Sequence, residues 1–275
     1  MVLTALENGV ADENTIIDTG NGIMQVGGSR VRDVSKVGKA NLARILQKSS
    51  NIGVSKLSLA MPVEALLGMY SSVGMGDPSG INLIGESQGF FPDRRRWSDF
   101  ERATLAFGYG ISVTPIQLVR AYATLGALGV SRPLSILKTD DVIPGRQVVS
   151  VENTRKLLKM LEMVTGKEGS AKRAAVPGYR VGAKTGTAKV AAAGGYSDEY
   201  IAMTAGLAPI SNPRIAMVVV VNEPQGDQYY GGAIAAPIFA DVMGSALQIL
   251  NVPPDAGSGE KLNVVHNRGT SNADT

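Results

Sequence analysis

Residues 184–187 read Lys-Thr-Gly-Thr and have the chemistry of a site that binds an anionic peptide end. The ammonium group of Lys184 could pair with a carboxylate, and the Thr185 hydroxyl could donate a hydrogen bond to it. Gly186 would let an extended ligand lie along the chain as an added strand. The backbone N–H of Thr187 could then face a developing oxyanion. The alternative is an ordinary strand with an exposed lysine and a bulge glycine.

A second polar segment, Ser49-Ser50-Asn51, falls between two predicted helices. Its simplest interpretation is a cap at the start of the second helix, because serine and asparagine are favoured there. Such a turn can also present a hydroxyl and an amide to a cleft. The serine would then relay a proton, and the amide would bond a substrate carbonyl. Taken alone, the segment favours the cap.

A nucleophile is the missing part of an acyl-transfer site. Serine with a lysine partner requires Ser-x-x-Lys on a helix, because positions i and i+3 share a face there. The two matches are Ser135–Lys138 and Ser258–Lys261. The first follows Pro133 in a segment predicted to be extended, and the second lies in a polar tail. Both are rejected for lack of a helix to hold them.

Composition excludes several other kinds of chemistry. The 275 residues include no cysteine and one histidine, His266. Disulfides, thiolate nucleophiles and thiolate metal sites are therefore excluded, and a Ser-His-Asp triad is disfavoured. No metal or other cofactor is expected, and lysine is the expected proton carrier. The net charge is only +3 and aromatic residues make up 5% of the chain, which disfavours nucleic-acid binding.

The pattern of elements predicts helices first and a sheet afterwards. Residues 1–9 finish a helix, residues 41–128 are mainly helical, and Thr114-Pro115 marks a helix start. A further amphipathic helix covers residues 151–165. Strands are then predicted at Tyr179–Lys189, Tyr200–Ala208 and Arg214–Asn222, with turn residues between them. Successive hairpins in an antiparallel sheet, and therefore an α+β fold, are the expected result.

A last helix is predicted to open at Pro237 and to run to about Leu250, with Val242 and Leu250 among its inward-facing residues. Residues 1–254 are expected to form one domain, and residues 255–275 a disordered tail. No run of about 18 apolar residues suggests a membrane span.

Aromatic residues beside flexible backbone complete the candidates. They occur in Gly108-Tyr109-Gly110 and in Tyr229-Tyr230-Gly231-Gly232. Most such tyrosines are packing or loop residues, and a place in the wall of a site is the alternative.

Taken together, these segments resemble the penicillin-binding proteins, for which Ser-x-x-Lys, Ser-x-Asn and Lys-Thr-Gly are characteristic motifs. The resemblance is to the class B D,D-transpeptidases (penicillin-binding protein 3 type) that build the division septum of Gram-negative bacteria. The co-linear segments are 46–57, 96–99, 107–110, 184–189 and 229–232, and the resemblance extends from residue 1 to about residue 254.

The resemblance implies a helical lobe packed on an antiparallel sheet, with the serine β-lactamase-like transpeptidase fold. It implies that Ser49 relays a proton, that Asn51 bonds the substrate amide, and that Lys184 and Thr185 bind the substrate carboxylate. Thr187 would supply an oxyanion N–H, with Gly186 beside it. Tyr109, Tyr200, Tyr229 and Tyr230 would help to wall the cleft.

The family's Ser-x-x-Lys opens the helix whose later turns resemble residues 1–8. The resemblance therefore implies a chain that starts just after the nucleophile and lacks the family's upstream strands, non-catalytic domain and membrane anchor. The intact parent would cross-link peptidoglycan stem peptides ending in D-Ala-D-Ala, would be acylated by β-lactams and would meet division-machinery membrane proteins at the periplasmic face of the inner membrane. Loss of the nucleophile costs about 10⁶ in rate in comparable enzymes, so this polypeptide is expected to be inactive.

Two alternatives stay open. One is a non-catalytic module that binds partners in the division machinery. The other is a β-lactam hydrolase or sensor, which would need an activated water and a carboxylate of raised pKa near residues 49–51 or 184–187.

Overall fold

The computed structural model describes residues 1–81, 83–138, 143–192 and 195–257. Within these ranges the helices are α1 (Val2–Glu7), α2 (Leu42–Lys48), α3 (Asn51–Leu59), α4 (Val63–Ser72), α5 (Asp99–Leu105), α6 (Pro115–Gly126), α7 (Val151–Thr165) and α8 (Gly231–Ile249). The strands are β1 (Ile17–Asp18), β2 (Ile23–Val26), β3 (Ser29–Arg32), β4 (Lys39–Ala40), β5 (Val130–Ser131), β6 (Arg146–Gln147), β7 (Gly182–Ala192), β8 (Gly195–Ala208) and β9 (Ile215–Asn222). A 3₁₀ turn covers Lys172–Ala174.

Local capping fixes where the helices of the first half begin. The Asn41 side chain accepts a hydrogen bond from the Arg44 N–H at the start of α2. Thr114 and Gln117 form a capping box at the start of α6, with Pro115 as its first residue. The predicted helix start at Thr114-Pro115 is therefore confirmed, because it depends only on neighbouring residues.

The second half is a three-stranded antiparallel sheet in the order β7-β8-β9. The predicted α+β class and the two successive hairpins are confirmed. The strand bounds differ from the prediction, since β7 and β8 continue pairing out to Ala192 and Gly195. The second strand therefore begins five residues before the predicted Tyr200. Among the described strands β7 lies at one edge of the sheet, so one side of its backbone is open to a ligand.

α8 covers one face of this sheet and contributes much of the core. Phe239, Met243 and Leu247 on α8 are fully buried. Val242 and Leu250 were predicted to face inward, but they are 49% and 56% exposed. That prediction was wrong because the buried residues in this part of α8 recur every four positions, at Phe239, Met243 and Leu247, and Val242 and Leu250 lie outside this row.

The start of α8 also differs from the prediction. The helix begins at Gly231, and Pro237 lies inside it. A proline in a helix leaves the carbonyl four residues earlier without its N–H partner. Here that carbonyl belongs to Ala233, and the Arg173 guanidinium donates a hydrogen bond to it over 3.0 Å. A contact from a distant part of the chain thus compensates for the proline.

α8 is long and apolar enough to cross a membrane, with 19 residues and a mean hydropathy of 1.4. On those criteria the expectation that no run could span a bilayer was wrong. In the fold, however, α8 packs across the sheet and buries Phe239 and Met243 there. A core helix of a folded domain satisfies the same length and composition criteria.

α7 joins the two halves of the molecule, because it packs against α2 on one side and against β7 on the other. Beyond α8 the chain returns to the sheet. Asp255, the first residue of the predicted tail, accepts hydrogen bonds from the backbone N–H groups of Arg180 and Ser211. Residues 258–275 of that predicted tail lie outside the described residues.

Candidate active site

A cleft of about 1040 Å³ lies between the α2–α3 turn and strand β7. All the residues that the sequence singled out as site candidates line it. They are Ser49, Asn51, Tyr109, Lys184, Thr185, Gly186, Thr187, Tyr200, Tyr229 and Tyr230. The structure therefore brings into one cleft segments that are far apart in the chain.

The centre of the cleft is a contact between its two walls. The Lys184 ammonium donates hydrogen bonds to the Ser49 hydroxyl and to the Thr185 carbonyl, both over 2.8 Å. Ser49 ends α2 with a left-handed backbone, at φ 57° and ψ 50°. This conformation is unfavourable for a residue with a side chain. It turns the chain between two helices that are only two residues apart and directs the hydroxyl of Ser49 towards β7.

Burial sets the ionisation of Lys184. Its side chain is partly enclosed between the walls of the cleft, and this desolvation lowers the pKa of Lys184 to about 8. Desolvation disfavours the charged form of an amine, and no carboxylate contacts Lys184 among the described residues to counter it. An ammonium with a pKa near neutrality can pass a proton to Ser49 and take one back.

A carboxylate below the cleft holds the turn in place. The Ser50 hydroxyl donates a 2.7 Å hydrogen bond to Asp33, and the Ile52 N–H donates a 2.9 Å bond to the same carboxylate. The hydroxyl of Ser50 also accepts from the Gly53 N–H and caps α3. Asn51 donates one amide N–H to the Arg32 carbonyl. Its second N–H and its oxygen have no partner among the described residues, so they can bond a ligand.

The two interpretations of Ser49-Ser50-Asn51 therefore apply to different residues. Ser50 is the helix cap, and Ser49 and Asn51 flank it in the cleft. Asp33 was not identified from the sequence, because its role depends on the fold bringing the end of β3 against α3.

β7 supplies the opposite wall, and it is fixed to α8. The Thr187 hydroxyl accepts a 2.9 Å hydrogen bond from the Gly231 N–H. A side chain at Gly186 would meet the Met203 side chain on the neighbouring strand. Packing within the sheet is thus one reason for a glycine at position 186, besides the approach of a ligand.

Aromatic rings form one end of the cleft. The rings of Tyr200 and Tyr229 stack with centroids 4.1 Å apart, and those of Tyr229 and Tyr230 stack at 4.5 Å. Tyr109 contacts the Tyr196 ring edge-on at 5.3 Å and so joins the helical lobe to β8. These rings give the cleft an apolar, rigid end.

The cleft also has polar lining residues that the sequence did not single out. They are Lys48, Glu168, Lys172 and Arg173. Glu168 accepts a hydrogen bond from Arg44, which lowers the pKa of the Glu168 carboxyl. The run from 166 to 173 contains two glycines and several polar residues, and such a pattern in sequence is also typical of a solvated loop.

Gln47 ties these polar residues to the rest of the site. The side-chain amide of Gln47 donates a hydrogen bond to the Met163 carbonyl at the end of α7. The backbone carbonyl of Gln47 accepts a hydrogen bond from the Ser170 N–H. Gln47 is 8% exposed, and its side-chain oxygen accepts from Arg44. The residue before Lys48 and Ser49 is thereby locked to the segment that leads into β7.

The structure gives no support to either Ser-x-x-Lys match. Ser135 and Lys138 are exposed in a segment without regular structure, far from a helix. Ser258 and Lys261 lie outside the described residues. The first residues of the chain are nevertheless at the site, because Met1 and Val2 line the same cleft. The amino end of α1 thus lines the same cleft as Ser49 and Lys184.

Comparisons with known proteins agree with this geometry. Residues 1–244 match the model of the penicillin binding protein transpeptidase domain. The chain is 48% identical over 271 residues to peptidoglycan D,D-transpeptidase FtsI of Escherichia coli strain K12, covering 98% of this chain and 46% of that protein. It is 36% identical to the probable peptidoglycan D,D-transpeptidase PenA of Neisseria gonorrhoeae, covering 92% of this chain and 44% of that protein.

A solved structure is also similar. It is the apo transpeptidase domain of Burkholderia pseudomallei penicillin-binding protein 3, with a TM-score of 0.88 and 38% identity over 93% of this chain and 78% of that one. The chain spans less than half the length of the curated relatives it matches.

Proposed function

Because this chain belongs to the penicillin-binding protein transpeptidase family, we propose that it forms most of the catalytic domain of a septal peptidoglycan D,D-transpeptidase. The reaction is acyl transfer through a serine ester, which joins one stem peptide to another. The substrate is a peptide ending in D-Ala-D-Ala, and β-lactams act as substrate mimics. The contact between Lys184 and Ser49 across the cleft carries this proposal.

Each residue of the cleft has a separate role in such a reaction. Lys184 and Thr185 bind the terminal carboxylate of the peptide, which lies along the open edge of β7. Asn51 bonds an amide of the peptide with its free N–H and oxygen. The backbone N–H of Thr187 stabilises the oxyanion of the tetrahedral intermediate. The stacked Tyr200, Tyr229 and Tyr230 confine the peptide at the far end.

Proton transfer uses the pair at the centre. The leaving amine of the terminal D-alanine needs a proton, and the incoming amine must lose one. Ser49 bridges these sites and Lys184, whose pKa of about 8 suits it to exchange a proton near neutral pH.

The nucleophile belongs at the amino end of α1 in this proposal. Met1 and Val2, at the amino end of α1, line the cleft. A Ser-x-x-Lys turn in helical register with α1 would place both side chains on one face, towards Ser49 and Lys184. None of the helices in the described ranges carries such a turn, and we propose that the 275-residue polypeptide does not itself form an acyl-enzyme.

A labelling experiment with a fluorescent penicillin tests the function. The 275-residue polypeptide should give no covalent band. The same polypeptide with two helical turns carrying Ser-x-x-Lys fused in register before Met1 should give one, and Lys184→Ala in that fusion should abolish it. A covalent band on the unextended polypeptide, or a fusion whose labelling ignores Lys184, would contradict the proposal.

The hydrolase alternative is less well supported by the site. It requires a carboxylate that activates water. Glu168 is the acidic residue among the described lining residues, and its pKa is lowered by Arg44 rather than raised. Contacts with division-machinery proteins and a periplasmic location are likewise parts of the proposal, drawn from the family.

A further inference from the structure

The charges that line the cleft are strongly unbalanced. Its described lining contains Lys48, Lys172, Arg173, Lys184 and Lys189, against a single acidic residue, Glu168. The whole chain carries a net charge of only +3. Positive charge is therefore concentrated at the cleft, where it raises the local concentration of anionic ligands.

Most of these cations are balanced or already have a function. Lys189 pairs with Asp198 over 2.9 Å. Lys48 lies beside Glu168 and donates to its backbone carbonyl. Lys184 contacts Ser49 at the centre of the proposed site. By contrast, Lys172 and Arg173 form no ion pair in the part of the chain that the structure describes.

Arg173 is exposed, but its guanidinium group is held by a contact with the backbone. One of its guanidinium nitrogens donates to the Ala233 carbonyl in the first turn of α8, the carbonyl that Pro237 leaves without a helical partner. A planar guanidinium group has five N–H donors. The other donors of Arg173 have no partner in the ranges that the structure describes, so they can bind a ligand. A cation held by a backbone contact at the wall of a cleft is preorganised for binding.

The position of Arg173 is electrostatically unfavourable in the empty site. The amino end of a helix carries a partial positive charge, and a cation there is destabilising unless an anion is present. The first turn of α8 has no acidic residue and no side-chain cap. The Gly231 N–H is bound to Thr187, whereas no acceptor for the Gly232 N–H is found within the described ranges.

We propose that Arg173, Lys172 and the first turn of α8 form an anion-binding subsite of the cleft, and that this subsite takes a carboxylate of the peptide substrate. Gly232 lies next to Thr185, so the subsite adjoins the place assigned to the terminal carboxylate. The carboxylate bound is either that terminal group or a second one on the peptide. The substrate class rests on the proposed function, but the affinity for anions does not.

A titration with acetate tests the anion site without any peptide. In ¹⁵N-labelled protein, acetate should shift the Gly232 amide and the Arg173 Nε–H resonances. Arg173→Gln should remove the shift at Gly232, and Arg173→Lys should restore part of it, since charge is retained. Arg155→Gln, which removes an exposed arginine from α7, is the matched control and should leave the shift unchanged. Absence of a shift in the unmodified protein would overturn the proposal.

Matched peptides then identify the carboxylate. N-acetylated peptides ending in D-Ala-D-Ala are compared in two matched pairs. In the first pair the terminal group is a carboxylate or a carboxamide. In the second pair the residue before D-Ala-D-Ala carries a side-chain carboxylate or carboxamide. We expect Arg173→Gln to weaken binding about tenfold for peptides with the recognised carboxylate, the usual size of a charge-assisted hydrogen bond, and to leave the matched carboxamide peptide unaffected. Which pair responds identifies the source of the carboxylate.

The possible outcomes separate this inference from the proposed function. Equal binding of all peptides by Arg173→Gln and the unmodified protein, or an equal loss for carboxylate and carboxamide peptides, would refute the subsite. If Lys184→Ala still abolished binding, the proposed function would stand. If acetate shifts Gly232 while no peptide binds, the anion site is supported and the proposed substrate is contradicted.

Discussion

The Lys184 ammonium lies 2.8 Å from the Ser49 hydroxyl, although 135 residues separate them in the chain. One residue belongs to the sheet and the other to the turn between two helices. Their contact therefore depends on how α7 sets α2 against β7, and it reports on whether both halves of the site are assembled.

The first prediction concerns the titration of Lys184. Because its pKa in the folded protein is about 8 and an unperturbed lysine has a pKa of about 10.4, unfolding takes up a proton between these values. The free energy of unfolding, relative to that of Lys184→Met, should rise from pH 8 to pH 10.4. NMR of the lysine ¹³Cε resonances should show one titration near pH 8 that Lys184→Met removes. A lysine spectrum with no titration below pH 9.5 would contradict the assignment.

Removing Asp33 should loosen the turn that carries Ser49 and Asn51. Asp33→Ala takes away the acceptor for the Ser50 hydroxyl and the Ile52 N–H. The expected loss is about 1–2 kcal/mol in the free energy of unfolding, as for other helix caps. Urea denaturation measures it. The exposed Asp227 is the control, and Asp227→Ala should change stability by less than about 0.5 kcal/mol.

The inner face of α8 can be tested with two substitutions one turn apart. Phe239 is fully buried, whereas Val242 is 49% exposed. Phe239→Ala should cost about 3–5 kcal/mol through lost burial and the cavity left behind. Val242→Ala should cost less than about 1 kcal/mol. Similar losses at both positions in chemical denaturation would place the helix in a different rotation.

Two glycines in helices should respond to alanine with opposite signs. A Cβ at Gly231 would overlap the carbonyl oxygens of Gly186 and Met203, so Gly231→Ala must move α8 away from β7. We expect a loss of about 2 kcal/mol or more, because backbone atoms cannot yield as side chains do. Gly68 is an exposed residue of α4, and a Cβ added there would have no described atom within 4 Å. Gly68→Ala should raise the unfolding free energy by about 0.5–1 kcal/mol, and thermal unfolding of both variants would settle the comparison.

Features with local causes could be predicted from the sequence. The start of α6 at Thr114-Pro115 and the α7 helix depend on capping and on a spacing that neighbouring residues supply. The three strands were recognised because β-branched runs alternate with turn residues. The cleft residues were assigned through the family resemblance, which orders motifs that composition alone cannot connect.

Features that depend on distant contacts were missed. Pro237 was predicted to start a helix because proline is favoured in the first turn. The helix instead continues through Pro237, and Arg173, 60 residues before Ala233, binds the carbonyl that the proline leaves without a partner. Asp33 was not singled out in the sequence, because its two acceptor contacts depend on the packing of the 23–32 hairpin against α3. The sequence pattern alone does not show which carbonyl or hydroxyl group will be bound by a residue far away in the chain.

At Ser49 the left-handed backbone favours glycine, whereas the contact with Lys184 requires a hydroxyl group. Glycine would adopt that geometry without penalty, and serine forgoes about 1 kcal/mol there. A library selected only for thermal robustness should drift towards glycine at this position. A library selected for turnover, in a protein that also supplies the nucleophile, should keep the hydroxyl. The identity of the amino acid recovered would tell an experimenter which of the two pressures a given screen applies.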